Sequence, residues 1–271
     1  MIKEITIGQY FPGQSVIHRM DPRMKLVLTT VYIVLLFVAN NLPALLVGVV
    51  FLFVVYPLSG ISGKIVLKSV KPILPIIFFT AVLNMFFVEG NVIWQWWVLR
   101  VTDRGAMTAL MMCVRIVCLI AGTSLMTYTT SPIALTYAIE LLFSPLKKIK
   151  MPVHEVAMMM TIALRFIPTL IEETDKIMSA QKARGADMES GNLLQRVKAL
   201  IPILIPLFVS AFRRADELAL AMECRCYHGG EGRTRMRQFQ MNGLDAWAAV
   251  FVGLCLLAAI TANIYAPGIT L

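Results

Sequence analysis

The chain lacks nearly everything that would mark an enzyme. No GxxxxGK[ST] stretch is present to wrap backbone N–H groups around nucleotide phosphates, which argues against ATP binding of the usual kind. No HExxH and no paired CxxC occurs, and the close pair Cys224-Arg225-Cys226 has the wrong spacing for a common zinc site. His18, His154 and His228 stand alone in the sequence, and no nucleophile has a base beside it. The five cysteines, at 113, 118, 224, 226 and 255, suggest no disulfide framework; Cys113, Cys118 and Cys255 lie in apolar runs, where cysteine serves as a small hydrophobe. No catalytic residue, cofactor or metal site is therefore expected. Lys3, Glu4, Gly8 and Pro12 interrupt the start, so no cleavable leader is expected either.

Charge is also scarce. Only 15% of the 271 residues are charged, none of them between Leu26 and Gly63 or between Ala246 and Leu271. With 58% hydrophobic residues, a soluble globular class is unsuited, since each long uncharged run is enough to enter a bilayer. Asn40-Asn41-Leu42-Pro43 divides the first run into two spans. Residues 72–88 supply a third, 105–130 a fourth, and 246–271 a fifth, because a span needs about 20 residues. Gly8, Pro12 and Gly13 make residues 1–20 a β-prone or irregular lead. Asp21 is placed to cap the first span, with Pro22 in its first turn. Trp94, Trp96 and Trp97, in the loop from Glu89 to Arg104, fit an interfacial belt. Arg115 lies inside the fourth span, where it either serves a function or else snorkels outward or pairs within the bundle.

What charge there is falls on one side. Residues 130–243 hold 15 of the 25 Lys and Arg, the segment before the first span holds four, and Lys64, Lys68 and Lys71 follow the second. Arg100 and Arg104 stand opposite them. The positive-inside rule then puts the N-terminus and residues 131–241 in the cytoplasm and the C-terminus outside. A nucleic-acid binder is the other reading of a net charge of +9, but spans and charge asymmetry argue against it.

Residues 131–241 form the polar part of the chain. Residues 133–143 are too short to span and suit the interface. One longer helix, opened by Pro152 and closed by Gly185, and another, from about Leu193 to Arg225, both turn from apolar to charged along their length. The two end alike. Asp175 leads to Ile177, Ala180, a small residue and Arg184; Asp216 leads to Leu218, Ala221, a small residue and Arg225. Ile177, Ala180 and Arg184 share one helix face, and so do Leu218, Ala221 and Arg225. Two copies of one device imply two similar receiving surfaces. The fold expected is an all-α membrane protein with about five transmembrane helices and a cytoplasmic or interfacial region of three amphipathic helices. Its divisions are 1–130, 131–241 and 242–271.

The motifs Gly8-Gln-Tyr-x-Pro-Gly-x-Ser15, His18-Arg-Met-Asp-Pro-Arg-Met-Lys25, Ala183-Arg184-Gly185 and Cys224-Arg225-Cys226 resemble those of the transmembrane (T) component, EcfT, of energy-coupling factor transporters, over nearly the whole chain. The resemblance implies a non-catalytic subunit of an ATP-driven importer of vitamins or other micronutrients in a bacterial or archaeal cell membrane. It implies two ABC-type ATPase partners docked at the two arginine motifs, and a membrane S component carrying the substrate site. The second motif departs from the usual Ala-Arg in having Cys224, also small. The N-terminal pattern is closer to the shared T components than to the dedicated ones. Met158, Met159 and Met160 are candidates for S-component contact, since methionine repacks against varied partners; ordinary membrane-facing packing is the alternative. A stand-alone secondary transporter, which would show two related membrane halves, and a membrane enzyme are the competing classes.

The charge asymmetry predicts the topology. A cysteine introduced beside Trp96 should react with an impermeant external reagent, and one beside Glu231 should not; the reverse labelling would invert the topology.

Overall fold

The computed structural model describes residues 10–90, 92–96, 99–186, 192–230 and 239–265. The first nine residues, Trp97 and the basic run through Arg233, Arg235 and Arg237 lie outside the described residues. In chain order the elements are α1 (Val16–Arg19), α2 (Pro22–Val38), α3 (Leu42–Ser59), α4 (Gly63–Val70), α5 (Leu74–Phe87), β1 (Val92–Trp96), β2 (Leu99–Thr102), α6 (Asp103–Thr129), α7 (Pro132–Leu142), α8 (Val153–Ala183), α9 (Leu193–Cys224) and α10 (Gly243–Tyr265). Two 3-10 turns, Lys71–Ile73 and Ser144–Ile149, lead into α5 and follow α7. The protein is an all-α membrane protein.

Local chemistry sets the boundaries. Ser15 and Asp21 cap α1 and α2, accepting from the backbone N–H of His18 and Arg23, and Pro22 takes the first position of α2, where its missing N–H costs nothing. The structure corrects the irregular lead at this point: Val16–Arg19 forms a turn of helix because Ser15 caps it and His18 folds back, its ring nitrogens 2.6 Å from Ser15 Oγ and 2.9 Å from the Phe11 carbonyl. The loop from Glu89 holds a second difference, an antiparallel hairpin pairing Trp96 with Leu99 and Gln95 with Arg100.

Among the described residues, length and composition allow five helical stretches to cross a bilayer: Leu42–Ser59, Gly63–Phe87, Asp103–Thr129, Val153–Ala183 and Gly243–Tyr265. This set includes α8, which the charge pattern assigns to the polar region. The first expected span is α2, whose 17 residues reach only about 25 Å, short of a ~30 Å hydrocarbon core.

The described residues form two compact units, one of residues 8–138 with 238–271 and one within 139–237. The core of the first is made by α2, α3, α6 and α10. Tyr32, Leu35, Leu36, Ala44, Leu45 and Met111 are buried in it. Tyr32 stacks on Phe51 at 4.7 Å between ring centroids, and Phe51 on Phe251 at 5.7 Å, so aromatic contacts run from α2 through α3 to α10. The tyrosine hydroxyls find backbone acceptors: Tyr32 donates to the Gly48 carbonyl at 3.2 Å and Tyr56 to that of Ala121 at 2.8 Å.

Arg115 is 8% exposed, and its guanidinium donates to the carbonyl of Ala39, the C-cap of α2. A cation there meets the negative end of the helix dipole. Asn263 of α10 braces the same α2–α3 turn. Its Oδ1 accepts from Asn40 N at 3.2 Å, its Nδ2 donates to the Val38 carbonyl at 2.6 Å, and its own carbonyl accepts from Asn41 Nδ2 at 3.4 Å. At the opposite end Asp245, 2% exposed, accepts from the backbone N–H of Asp21 at 3.0 Å and of Asn242 at 2.8 Å, tying the start of α10 to the start of α2.

Close approach explains one glycine. A Cβ at Gly122 of α6 would lie 2.5 Å from Cε1 of the Tyr32 ring. Gly122→Ala should therefore lower stability by about 1–3 kcal/mol through overpacking, although Ala favours helix by about 1 kcal/mol. Gly63→Ala meets nothing within 4 Å and should be neutral or mildly stabilising. Thermal unfolding of the two variants in detergent checks the contrast.

Candidate docking site at two helix ends

The unit within residues 139–237 is organised by α8 and α9. Glu173 of α8 is the staple between them: its Oε1 accepts from Ser210 Oγ and its Oε2 from Arg214 Nη2 at 3.1 Å. Two turns further along α8, Gln181 Nε2 donates to the Pro202 carbonyl at 3.4 Å. That carbonyl is free to accept because its helical partner would be the N–H of residue 206, and Pro206 has none. Eight residues forward on α8 thus match eight back on α9, so the helices run antiparallel. The register extends to the start of α8. There the His154 ring packs on Gly230, where a Cβ would lie 2.4 Å from its Cδ2. His154 Nδ1 also pairs with Glu140 Oε1 at 3.0 Å, linking α7 to α8.

Both arginine motifs fall at ends of this pair and have the same geometry. Arg184 is the C-cap of α8 and Arg225 that of α9. After each, one residue turns left-handed: Gly185 at φ +86° and Cys226 at φ +55°. After α8, Gly185 N donates to the Lys182 carbonyl and Ala186 N to that of Gln181, both at 3.0 Å. After α9, Cys226 N donates to Glu223 at 2.9 Å and Tyr227 N to Met222 at 3.1 Å. Both are Schellman motifs, which satisfy the last carbonyls of a helix and fix the direction of the C-cap side chain. Residue for residue, the exposure also repeats: Ile177 and Leu218 are half-buried, while Ala180, Ala183, Arg184 and Gly185 are exposed like Ala221, Cys224, Arg225 and Cys226.

The antiparallel register keeps the two ends apart. At 1.5 Å per residue, Arg184 and Arg225 stand about 40 Å from each other along the pair. The arrangement brings no catalytic set together: among the described residues no group of three His, Cys, Asp or Glu could hold a metal ion. It offers two exposed cations, each on a fixed cap beside small residues. That suits the entry of a planar guanidinium into a groove carrying carboxylates or carbonyls. Met159 and Met160 are exposed on α8, and Met158 is half-buried.

A family model described as cobalt transport protein, CbiQ, matches residues 13–236. Energy-coupling factor transporter transmembrane protein EcfT of Ruminiclostridium cellulolyticum is 55% identical over 245 residues, covering 90% of this chain and 92% of the relative. The EcfT of Thermosediminibacter oceani is 54% identical over 259 residues, and that of Bacillus subtilis 47% over 261, each covering 96% of this chain and 98% of the relative. The chain belongs to the EcfT family. It is thus a multi-pass membrane protein of the class that forms the transmembrane component of energy-coupling factor transporters.

Sequence reasoning located both arginine motifs, but missed Glu173, Ser210 and Gln181, which hold their helices together. The available signal was the pair Pro202 and Pro206, four residues apart, which leaves a carbonyl open for a side chain from elsewhere. The shared caps generate a prediction. Cys226→Gly should stabilise the end of α9 by about 1 kcal/mol, and Gly185→Ala should destabilise the end of α8 by a similar amount, because only glycine is unstrained at positive φ. Hydrogen exchange of the amides of residues 181–186 and 222–227 reads both.

Proposed function

We propose that the chain couples two ABC-type ATPase subunits to a substrate-binding S component, for uptake of a vitamin or another micronutrient. The observation that carries this reading is the pair of matching arginine caps held far apart on one braced helix pair. Two like plugs call for two like sockets, and ATPases of this class work as pairs of similar subunits. Arg184 docks on one subunit and Arg225 on the other, with Ala183, Gly185, Cys224 and Cys226 letting the partner backbone approach closely. When the ATPases close on ATP and reopen, the distance between their sockets changes. The α8–α9 pair tilts in response, since its staples resist sliding.

The S component docks on the apolar surface of the same pair. Along α9, Val197, Ile201, Leu204, Ile205, Phe208 and Phe212 are each more than 40% exposed at helical spacing, and Met159 and Met160 extend apolar exposure on α8. Rocking this surface moves whatever sits on it. The chain supplies force transmission and no chemistry. It lies in a bacterial cell membrane with the arginine caps and N-terminus on the cytoplasmic side and the C-terminus outside.

The test is charge reversal. A charge-assisted hydrogen bond contributes roughly 1.5–3 kcal/mol, and reversal adds repulsion in an acidic groove. Arg184→Glu or Arg225→Glu alone should weaken uptake while retaining some ATPase on co-purification. The double variant should lose both ATPases and all transport, yet insert and fold normally. Full transport with both ATPases retained by the double variant would reduce these arginines to helix-end charges.

A further inference from the structure

The unit of residues 8–138 and 238–271 contains a cavity of about 300 Å³ enclosed by α1, α2, α3, α6 and α10. Its walls are almost wholly apolar, with the buried Tyr32, Leu125 and Val252 and the half-buried Phe51 among them. At its mouth Val54 and Leu58 of α3 face Leu244 and Trp247 of α10, and these four are 41%, 50%, 44% and 75% exposed. The two helices touch further along, where Phe51 stacks on Phe251, so they part toward the end that carries α1 and α4. In a chain that crosses a bilayer, a lateral opening between two spanning helices meets hydrocarbon.

Exposed cations follow closely in sequence on the cavity-lining residues at that end: Arg19 lies between Ile17 and Met20, and Lys64 and Lys68 come after Leu58. Gly60, at the end of α3, packs against Ser15, the cap of α1. Arg19 closes α1, one turn beyond Ser15, while Lys64 lies in the first turn of α4 and Lys68 one turn further, all three exposed. No Asp or Glu occurs between Asp21 and Glu89. Lys25 lines the cavity, but its ammonium donates to the carbonyl of Thr129 at 2.9 Å, and the buried Asp21 and Asp245 offset it. Among the described residues no ion pair involves Arg19, Lys64 or Lys68. We propose that this cavity is a binding site for an anionic phospholipid of the leaflet on the Lys64–Lys68 side. One acyl chain fills the space between α3 and α10, and the headgroup lies against Arg19, Lys64 and Lys68. A seated chain would complete packing that the protein leaves open under its first helix. Site and occupant are independent of the coupling role.

Native mass spectrometry of the full chain, released from detergent containing equal phosphatidylglycerol and phosphatidylcholine, tests this. The wild type should retain one phosphatidylglycerol in preference to phosphatidylcholine. Filling the cavity with Val55→Phe and Ala248→Phe should abolish retention. Arg19→Gln, Lys64→Gln and Lys68→Gln should each lower the preference about fivefold while leaving a chain bound. A second measurement needs no cavity variant. In vesicles, brominated phosphatidylglycerol should quench the Trp247 fluorescence, defined by its loss in Trp247→Phe, several-fold more than brominated phosphatidylcholine at equal mole fraction. Equal quenching by the two lipids, or undiminished retention by a folded cavity variant, overturns the proposal.

Discussion

One carboxylate staples α8 to α9. Glu173 receives Ser210 and Arg214 on its two oxygens, and these contacts set α8 against α9 in an antiparallel register. Without that register the two arginine caps would be separate surface features. With it, they lie at opposite ends of one braced helix pair. The second brace, Gln181 on the Pro202 carbonyl, shows how a helix defect is used: Pro206 removes a backbone hydrogen bond from α9, and the freed acceptor is given to the neighbouring helix. His154, packed on Gly230, holds the far end.

The other unit is held by the same kind of contact, polar side chains on helix-end backbone. Arg115 and Asn263 secure the α2–α3 turn, and Asp245 secures the start of α2. Satisfying these groups internally matters more in a bilayer than in water, because lipid offers them no partner. The intramembrane arginine is thereby explained as a pair within the bundle. Its partner is a carbonyl rather than a carboxylate, so the turn keeps a net positive charge.

Much of this was legible in the sequence. Uncharged runs marked α3, α5 and α10 among the helices able to cross a bilayer, and Asp21-Pro22 marked a helix start that the structure reproduces. The repeated lead from Asp175 to Arg184 and from Asp216 to Arg225 singled out the two ends that prove to share a cap. What was not legible depends on contacts between distant residues. Nothing local to Asn263 announces that it will brace residues 38–41, nor does anything local to Glu173 announce Ser210. Cys226 enters the sequence reading only as part of the second arginine motif; its left-handed conformation is hidden there because glycine, the usual marker, is absent. The α1 turn was masked by glycine and proline breakers, since its cap and its histidine contacts form only once the chain has folded. The reach of α8 was underestimated because its charged second half obscures an apolar first half long enough to enter the membrane.

The central claim is that one braced helix pair presents two equivalent caps to two separate ATPase subunits. The most direct measurement places a photo-crosslinking residue at Ala183 in one sample and at Cys224 in another, in the assembled complex with ATPase subunits distinguishable by mass. The account predicts one ATPase adduct from each position, with a different subunit captured in each sample. Capture of the same subunit from both positions, or of neither ATPase from either, would contradict it.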